Sequence, residues 1–477
     1  MKTAVVLMPW YSREHPAPEL ALLIALLKKK KHSVTVFDVN NEMFNKYYSN
    51  RKYWKYITDF NISKERNREF HNEAREIFEY FASRILSTAP DVVVFKILGN
   101  NHANSDFLAD IIHAKNPGMK IVFSGVNVTR DIEVAPYANR DNVLPYFDYL
   151  VCGEDLKALP DVLDAIESGS ENPLIDYKKV GNVLNCLGGP LVEDFDGLPY
   201  FDYTDFDFAS YASPDKCAIF TSKGCPWRCS YCMDWKTQNK YRSMSGRRIF
   251  SDLEHQINTH ANIRHFRFTD STINGNIASL NEFCELMINA RGSGLREIDW
   301  GGDAIIRREM DKPLLQKMRK AGCGGLGFGI ESGSQKVLDK MNKHFAVPVA
   351  EEVLKNTAEA GIFTSINIIV GFPTETAEDF GRTMEFVSRN RTHIGEVRIT
   401  HFGCRIPFDS TIYNDPGAYG LAGTEYENWA TKDGLNNCEE RERRFELLCG
   451  NVVSLGIKLM VGGRPQKVRS KEAPQNG

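Results

Sequence analysis

The chain has 477 residues, 42% of them hydrophobic and 25% charged, with a formal net charge of −3. That length holds roughly two to four domains around large cores, and the near-neutral balance excludes a strongly basic nucleic-acid binder. Eleven cysteines at irregular spacing, with no secretory leader before them, argue against a disulfide framework and for a reducing, cytoplasmic setting. Stretches of about eighteen apolar residues are missing, so membrane insertion is not expected.

In chain order, residues 2–8 are a β-rich apolar run, and residues 19–31 a helix with Leu20, Leu23, Ile24 and Leu27 on one face; residues 33–37 make a second strand. Residues 41–87 read as a helical insertion. Strands over 90–95, 120–124 and 148–151 then alternate with helices over 103–114 and 159–167. The alternation predicts an α/β fold that opens, over 1–174, with a doubly wound parallel Rossmann-like sheet whose ligands sit beyond the carboxyl ends of the strands. Residues 175–215, rich in Asp, Tyr, Phe and Pro, read as a linker. From 216 the pattern repeats strand then helix, with strands over 217–221, 265–269, 297–301, 325–331, 365–370 and 396–402. Six strands predict a partial (β/α)6 TIM-type barrel over 216–403, with its chemistry at the C-terminal strand ends. Residues 404–477 read as a mostly helical region with a disordered tail from 462.

The most informative run is Gly224-Cys225-Pro226-Trp227-Arg228-Cys229-Ser230-Tyr231-Cys232. Its C-x3-C-x2-C spacing puts three thiolates on one short loop, enough for three irons of a [4Fe–4S] cube and leaving the fourth open. A structural zinc takes four ligands, and no partner Cys or His pair stands at finger spacing. Three further runs follow at strand ends: Phe268-Thr269-Asp270-Ser271-Thr272-Ile273-Asn274; Gly329-Ile330-Glu331-Ser332-Gly333-Ser334, with Val337-Leu338-Asp339-Lys340-Met341-Asn342-Lys343 after it; and Ile368-Ile369-Val370-Gly371-Phe372-Pro373-Thr374-Glu375-Thr376.

These runs, in this order, resemble the radical S-adenosylmethionine (SAM) superfamily. The resemblance implies that Cys225, Cys229 and Cys232 hold the cluster and that its open iron chelates SAM, which one electron cleaves to a 5′-deoxyadenosyl radical. It further implies that Tyr231 lies against the adenine, that Asp270 helps hold SAM, that Glu331 and Ser332 meet its ribose or amino-acid moiety, and that Gly371 and Phe372 form the adenine loop. Ser271 and Thr374 depart from the Asp and Gly usual at their positions. In the first domain, Ser124-Gly125-Val126-Asn127 and Cys152-Gly153-Glu154 resemble the cobalamin-binding domain of one large radical SAM class, which would set Gly125, Gly153 and Glu154 near a corrin. The D-x-H-x-x-G cobalt-ligand motif is absent from residues 1–170, and His15 reads as a solvated loop residue.

The resemblance implies cobalamin-dependent C-methylation of an unactivated carbon in a natural-product or cofactor pathway. A small-molecule or peptide substrate and a reductant such as flavodoxin or ferredoxin would be the partners. Two alternatives stay open. One is a cobalamin-independent epimerase, dehydratase or cyclase with a degenerate first domain and a thiol hydrogen donor, for which Cys404 is placed ahead of Cys323 and Cys438. The other is a non-catalytic iron–sulfur or corrin-binding sensor.

Overall fold

The valine-rich run near the start is β1 (Lys2–Leu7), buried from Thr3 onward in the continuous manner of a strand covered on both faces. The first sheet continues with β2 (Ser33–Asp38), β3 (Val92–Lys96), β4 (Lys120–Ser124), β5 (Tyr149–Val151), β6 (Asp176–Val180) and β7 (Val183–Leu187), in the order β2-β1-β3-β4-β5-β7-β6. All of its pairings are parallel except β6 with β7. This computed structural model describes residues 1–47, 54, 64–125, 148–151, 154–170, 176–180, 183–187, 191–238, 240–295, 297–400, 403–462 and 464–465. The chain divides into two units, Met1–Phe220 with Arg248–Arg267, and Thr221–Arg247 with Phe268–Gly477.

In the first unit, helix Pro18–Lys29 opens with proline in its first turn, where the missing N–H costs nothing, and buries Leu20, Leu23, Ile24 and Leu27. The described part of the 41–87 segment is helical, as expected. Phe78, Phe81 and Ile85 of helix Arg75–Ser87 join Trp10, Trp54 and Phe70 in one apolar cluster against the sheet. Helix Asp155–Ser168 begins earlier than its apolar periodicity suggests. The sheet also differs from expectation, because β6 and β7 come from the segment read as linker. Gly181-Asn182 between two short β-prone runs is a hairpin signal, obscured there by the adjacent Lys178 and Lys179.

The second sheet has eight strands. Two of them, β8 (Lys216–Ile219) and most of β11 (His265–Phe268), group with the first unit. In the second unit a short antiparallel ribbon of β9 (Ser222–Lys223) and β10 (Arg242–Ser243) frames the cysteine loop. There β12 (Asp299–Ala304), β13 (Cys323–Glu331), β14 (Phe363–Ile368), β15 (Glu396–Ile399) and β16 (Lys458–Val461) run parallel in sequence order, and β17 (Arg464–Pro465) turns back on β16. The six expected barrel strands are present, and β16 and β17 extend the sheet from the region read as helix and tail. Of that region, Cys438–Ser454 is the main helix, whereas four residues of β16 are too few to show a period.

Candidate active site

The cysteine loop leaves β9 and returns on β10, with Lys223 opposite Arg242. Its support comes from the end of helix Gln335–Met341, whose last-turn carbonyls lack helical partners. Ser230 fills that need, donating from its backbone N–H to the Met341 carbonyl at 2.9 Å and from its hydroxyl to the Lys340 carbonyl at 3.1 Å. Asn342 caps the helix in the left-handed conformation (φ 60°, ψ 49°) and donates to the Arg228 carbonyl at 2.8 Å. Trp227 stacks on Phe345 with ring centroids 6.0 Å apart. The run from Val337 to Lys343 is thus a brace, with Val337, Leu338 and Met341 buried beneath it. Beside the loop lies a cavity of about 760 Å³, lined in part by Trp227, Arg307, His344 and Phe345.

Cys229 is buried and Cys225 and Cys232 are half-buried. Burial pushes the Cys225 thiol up to about 11 and raises Cys229 and Cys232 as well, while the positive charge of Lys343 acts against that rise at Cys225 and Cys229. Such thiols stay protonated until a metal claims them. Among the described residues, His32, Asp164 and Glu167 are the one trio of ligating atoms within 4.8 Å of one another. The three cysteine sulfurs do not all lie within that distance of one another, and three thiolates on one loop leave the fourth corner of an iron–sulfur cube open. Three thiols on one loop, without a fourth, are a donor set that fits three irons of such a cube.

Glu331 ends β13 at a register shift, with φ 69°, which turns its side chain away from the ladder. Its carboxylate lies 3.3 Å from the Lys343 ammonium, which also donates to the Tyr231 hydroxyl at 3.2 Å. Burial lifts the Tyr231 phenol well above its ordinary range, and the Glu331 charge adds to that. Asp270 is buried. Its Oδ1 accepts from the Thr221 N–H at 2.9 Å, the Thr221 hydroxyl at 3.0 Å and the Ser222 hydroxyl at 2.6 Å. Its Oδ2 is left without a partner, and burial pushes its carboxyl up to about 6. An unspent buried acceptor is what a cationic or hydroxyl-bearing ligand would satisfy.

Ser332 is placed otherwise than as an open ligand donor. Its hydroxyl lies 3.1 Å from that of Thr383 and accepts from the Ser334 N–H at 3.1 Å, tying the strand end to helix Ala377–Arg389. Gly371 has φ 70°, and a Cβ there would stand 2.4 Å from Arg441 Cγ. The close approach it permits within the protein is therefore to Arg441. Its N–H donates to Glu375 Oε2 at 2.8 Å, and Asn436 donates to the Phe372 carbonyl at 3.0 Å. The Phe372 ring is buried and meets Tyr419 edge-on. Cys404 is buried, its N–H bonded to the Val370 carbonyl at 2.9 Å, and burial pushes its thiol up to about 12. Cys323 begins β13, at the end of that strand opposite Glu331, and Cys438 is exposed.

The first-unit candidates have other work. A Cβ on Gly125, whose φ is 140°, would stand 2.3 Å from the Ile97 carbonyl oxygen, so the strand crossing itself demands glycine. Glu154 accepts from the Val192 N–H at 2.9 Å. Gly153 lies outside the described residues. His15, expected in solvent, is 8% exposed with Nδ1 3.0 Å from the Pro16 carbonyl, and burial lowers its pKa.

Sequence reasoning missed four residues that build the site. Lys343 was visible only as the last letter of a motif. Asn436, Arg441 and Arg444 come from a region without a readable motif. Arg444 forms a buried ion pair with Glu375 at 2.9 Å, and burial still pushes Glu375 up to about 7. Arg441 is 1% exposed, lies 3.8 Å from the Trp429 ring centroid and donates to the Trp429 and Glu427 carbonyls. The available signal was a pair of arginines three apart in a helix that otherwise reads as a solvated charged face.

Part of this arrangement matches a described family. Residues 219–387 match the Radical SAM superfamily, a domain that implies a [4Fe–4S] cluster and SAM. Over 250 residues the chain is 28% identical to an anaerobic magnesium-protoporphyrin IX monomethyl ester cyclase of Cereibacter sphaeroides, covering 50% of this chain and 40% of the cyclase. It is 24% identical over 318 residues to an uncharacterized methyltransferase of Pyrococcus horikoshii, covering 65% of this chain and 67% of that protein. In fold it is similar to the radical SAM methyltransferase TsrM of Kitasatospora setae, solved with cobalamin and a [4Fe–4S] cluster bound, with a TM-score of 0.65 and 15% identity over 98% of this chain and 93% of TsrM. The likeness to TsrM is one of fold, and it takes in the N-terminal parallel sheet.

Proposed function

We propose that this chain is a cobalamin-dependent radical SAM C-methyltransferase acting on a small molecule or peptide. The observation that carries the reading is the pairing, in one chain, of a parallel Rossmann-like sheet with a radical SAM barrel, the fold shared with TsrM. When bound, the cluster and SAM supply a carbon radical that removes a substrate hydrogen atom, and a corrin supplies the methyl group. The chain's own residues hold and shield. Cys225, Cys229 and Cys232 anchor the cluster, Asp270 Oδ2 and the Glu331–Lys343 pair offer charge to SAM, and Arg441 and Arg444 fix the Gly371–Glu375 loop. Gly125 and Glu154 follow the carboxyl ends of β4 and β5, the side on which a corrin would be met. A low-potential reductant such as flavodoxin or ferredoxin would supply the electron.

The test is anaerobic reconstitution with hydroxocobalamin, followed by desalting and a visible spectrum. A retained corrin spectrum, with label passing from methyl-deuterated SAM to product, is the expected result; a protein that emerges bare refutes the reading. In the same preparation Cys229→Ala is expected to lose its iron and sulfide and to bring 5′-deoxyadenosine formation to background.

A second reading, radical epimerisation, dehydration or cyclisation without a corrin, is favoured by Cys404. Its buried thiol stays protonated at neutral pH and is held one residue from Gly371 through the Val370 carbonyl. Under that reading Cys404→Ala arrests turnover after SAM cleavage; unchanged turnover removes the thiol donor.

A further inference from the structure

Lys343 belongs to none of the expected contacts, yet it is a buried cation beside the cysteine loop. It follows the left-handed cap at Asn342, and its backbone N–H donates to the Leu338 carbonyl at 3.0 Å, so its main chain is pinned to the end of the helix. The side chain runs inward and is 6% exposed. Gly329 leaves the room, because a Cβ there would stand 3.2 Å from the ammonium and 2.6 Å from the Glu331 carboxylate. The ammonium also lies 5.8 Å from the centroid of the Tyr231 ring, the residue between ligands Cys229 and Cys232.

An ammonium has three donors. Two are accounted for here, at 3.2 and 3.3 Å, longer than the roughly 2.7–2.9 Å of a tight charge-assisted bond. The pair with Glu331 is therefore slack, and part of the positive charge acts on its surroundings, which include Cys225 and Cys229. Adding an electron to a cluster bound by three thiolates makes an anionic group more negative. A fixed cation in low dielectric stabilises that reduced form, and a neighbouring carboxylate opposes it.

We propose that Lys343, balanced by Glu331, is a positioning residue of charge that sets the reduction potential of the cluster held by Cys225, Cys229 and Cys232. The proposal rests on the radical SAM reading of that loop and is independent of the corrin. Its test compares wild type, K343M, K343R, E331Q and the K343M/E331Q double variant, each reconstituted anaerobically, assayed for iron and sulfide, and titrated by EPR without SAM. K343M should shift the midpoint to more negative values, E331Q to more positive ones, K343R should stay near wild type, and the double variant should return toward it. A fully loaded K343M with an unmoved midpoint overturns the proposal. So does K343M that keeps its midpoint but loses SAM affinity by calorimetry, because Lys343 would then be a ligand of the SAM carboxylate. If K343M does not load, an unmoved midpoint in E331Q overturns the proposal equally. Wild type lacking iron and sulfide would sink the cluster reading itself, a result distinct from a loaded cluster whose potential ignores these charges.

Discussion

Each unit buries a lysine against a carboxylate near the carboxyl ends of its parallel strands, and the two pairs differ in how they are built. Lys96 ends β3 and meets Asp155 in the first turn of its helix, and Ser124, at the end of β4, donates to the same carboxylate at 2.7 Å. Three rigid elements close on one anion. Lys343 instead reaches from beyond a helix cap, across a slack 3.3 Å, to a glutamate at positive φ and on to a tyrosine of the cysteine loop. Side-chain exposure hardly separates the pairs, at 2% and 8% against 6% and 9%. What separates them is that the Asp155 carboxylate draws donors from two strands, whereas the Lys343 ammonium is shared between Glu331 and Tyr231, so burial of a charge does not by itself mark a working site.

The largest effect should come from Lys96→Met, which strands Asp155 and is expected to cost about 3–5 kcal/mol of stability in chemical denaturation. Lys343→Met should cost clearly less, since the Tyr231 hydroxyl can still serve Glu331; equal losses would break the comparison. The strand-end glycines sharpen it next. Gly125→Ala meets a backbone oxygen and should cost about 3 kcal/mol or more, whereas Gly371→Ala meets the aliphatic stem of the buried Arg441 side chain and should cost about 1–3 kcal/mol. Reversal of that order in melting experiments would mean that Arg441 is the more rigid neighbour.

Asp270 supplies a pH test in the second unit. Burial raises its carboxyl to about 6 from an unfolded value near 3.8, so the folded state binds more protons between those values, and stability falls as pH rises through that window. Asp270→Asn should remove this slope, shifting the stability difference toward the variant by at most about 3 kcal/mol between pH 4 and 6. Parallel curves for the two proteins would show that the carboxyl is hydrated. The smallest effect is expected for Asn342→Ala, about 1 kcal/mol for a left-handed cap without its preferred residue. A small accompanying loss of cluster occupancy would tie the brace to the loop.

Periodicity located every strand of the first sheet up to β5 and the six expected barrel strands, because each carries enough apolar residues to bury a face. It missed β6, β7 and β16, which are four or five residues long and lean on neighbours for their hydrogen bonds. The cysteine loop was legible because ligand chemistry imposes spacing on adjacent residues. Arg441 and Lys343 were not, because each acts on residues many positions away, and only the packing brings them there. Gly371 shows a subtler gap: the requirement for glycine was readable, but the atom that enforces it is in Arg441, seventy positions further along the chain.

That dependence bears on attempts to recombine such enzymes. The Gly371–Glu375 turn takes its shape from Asn436, Arg441 and Arg444, so a chimera that exchanges residues after 403 for those of a relative would alter that turn without changing a single residue in it. Transplants that carry these three side chains along, with β16 behind them, should keep that loop in register.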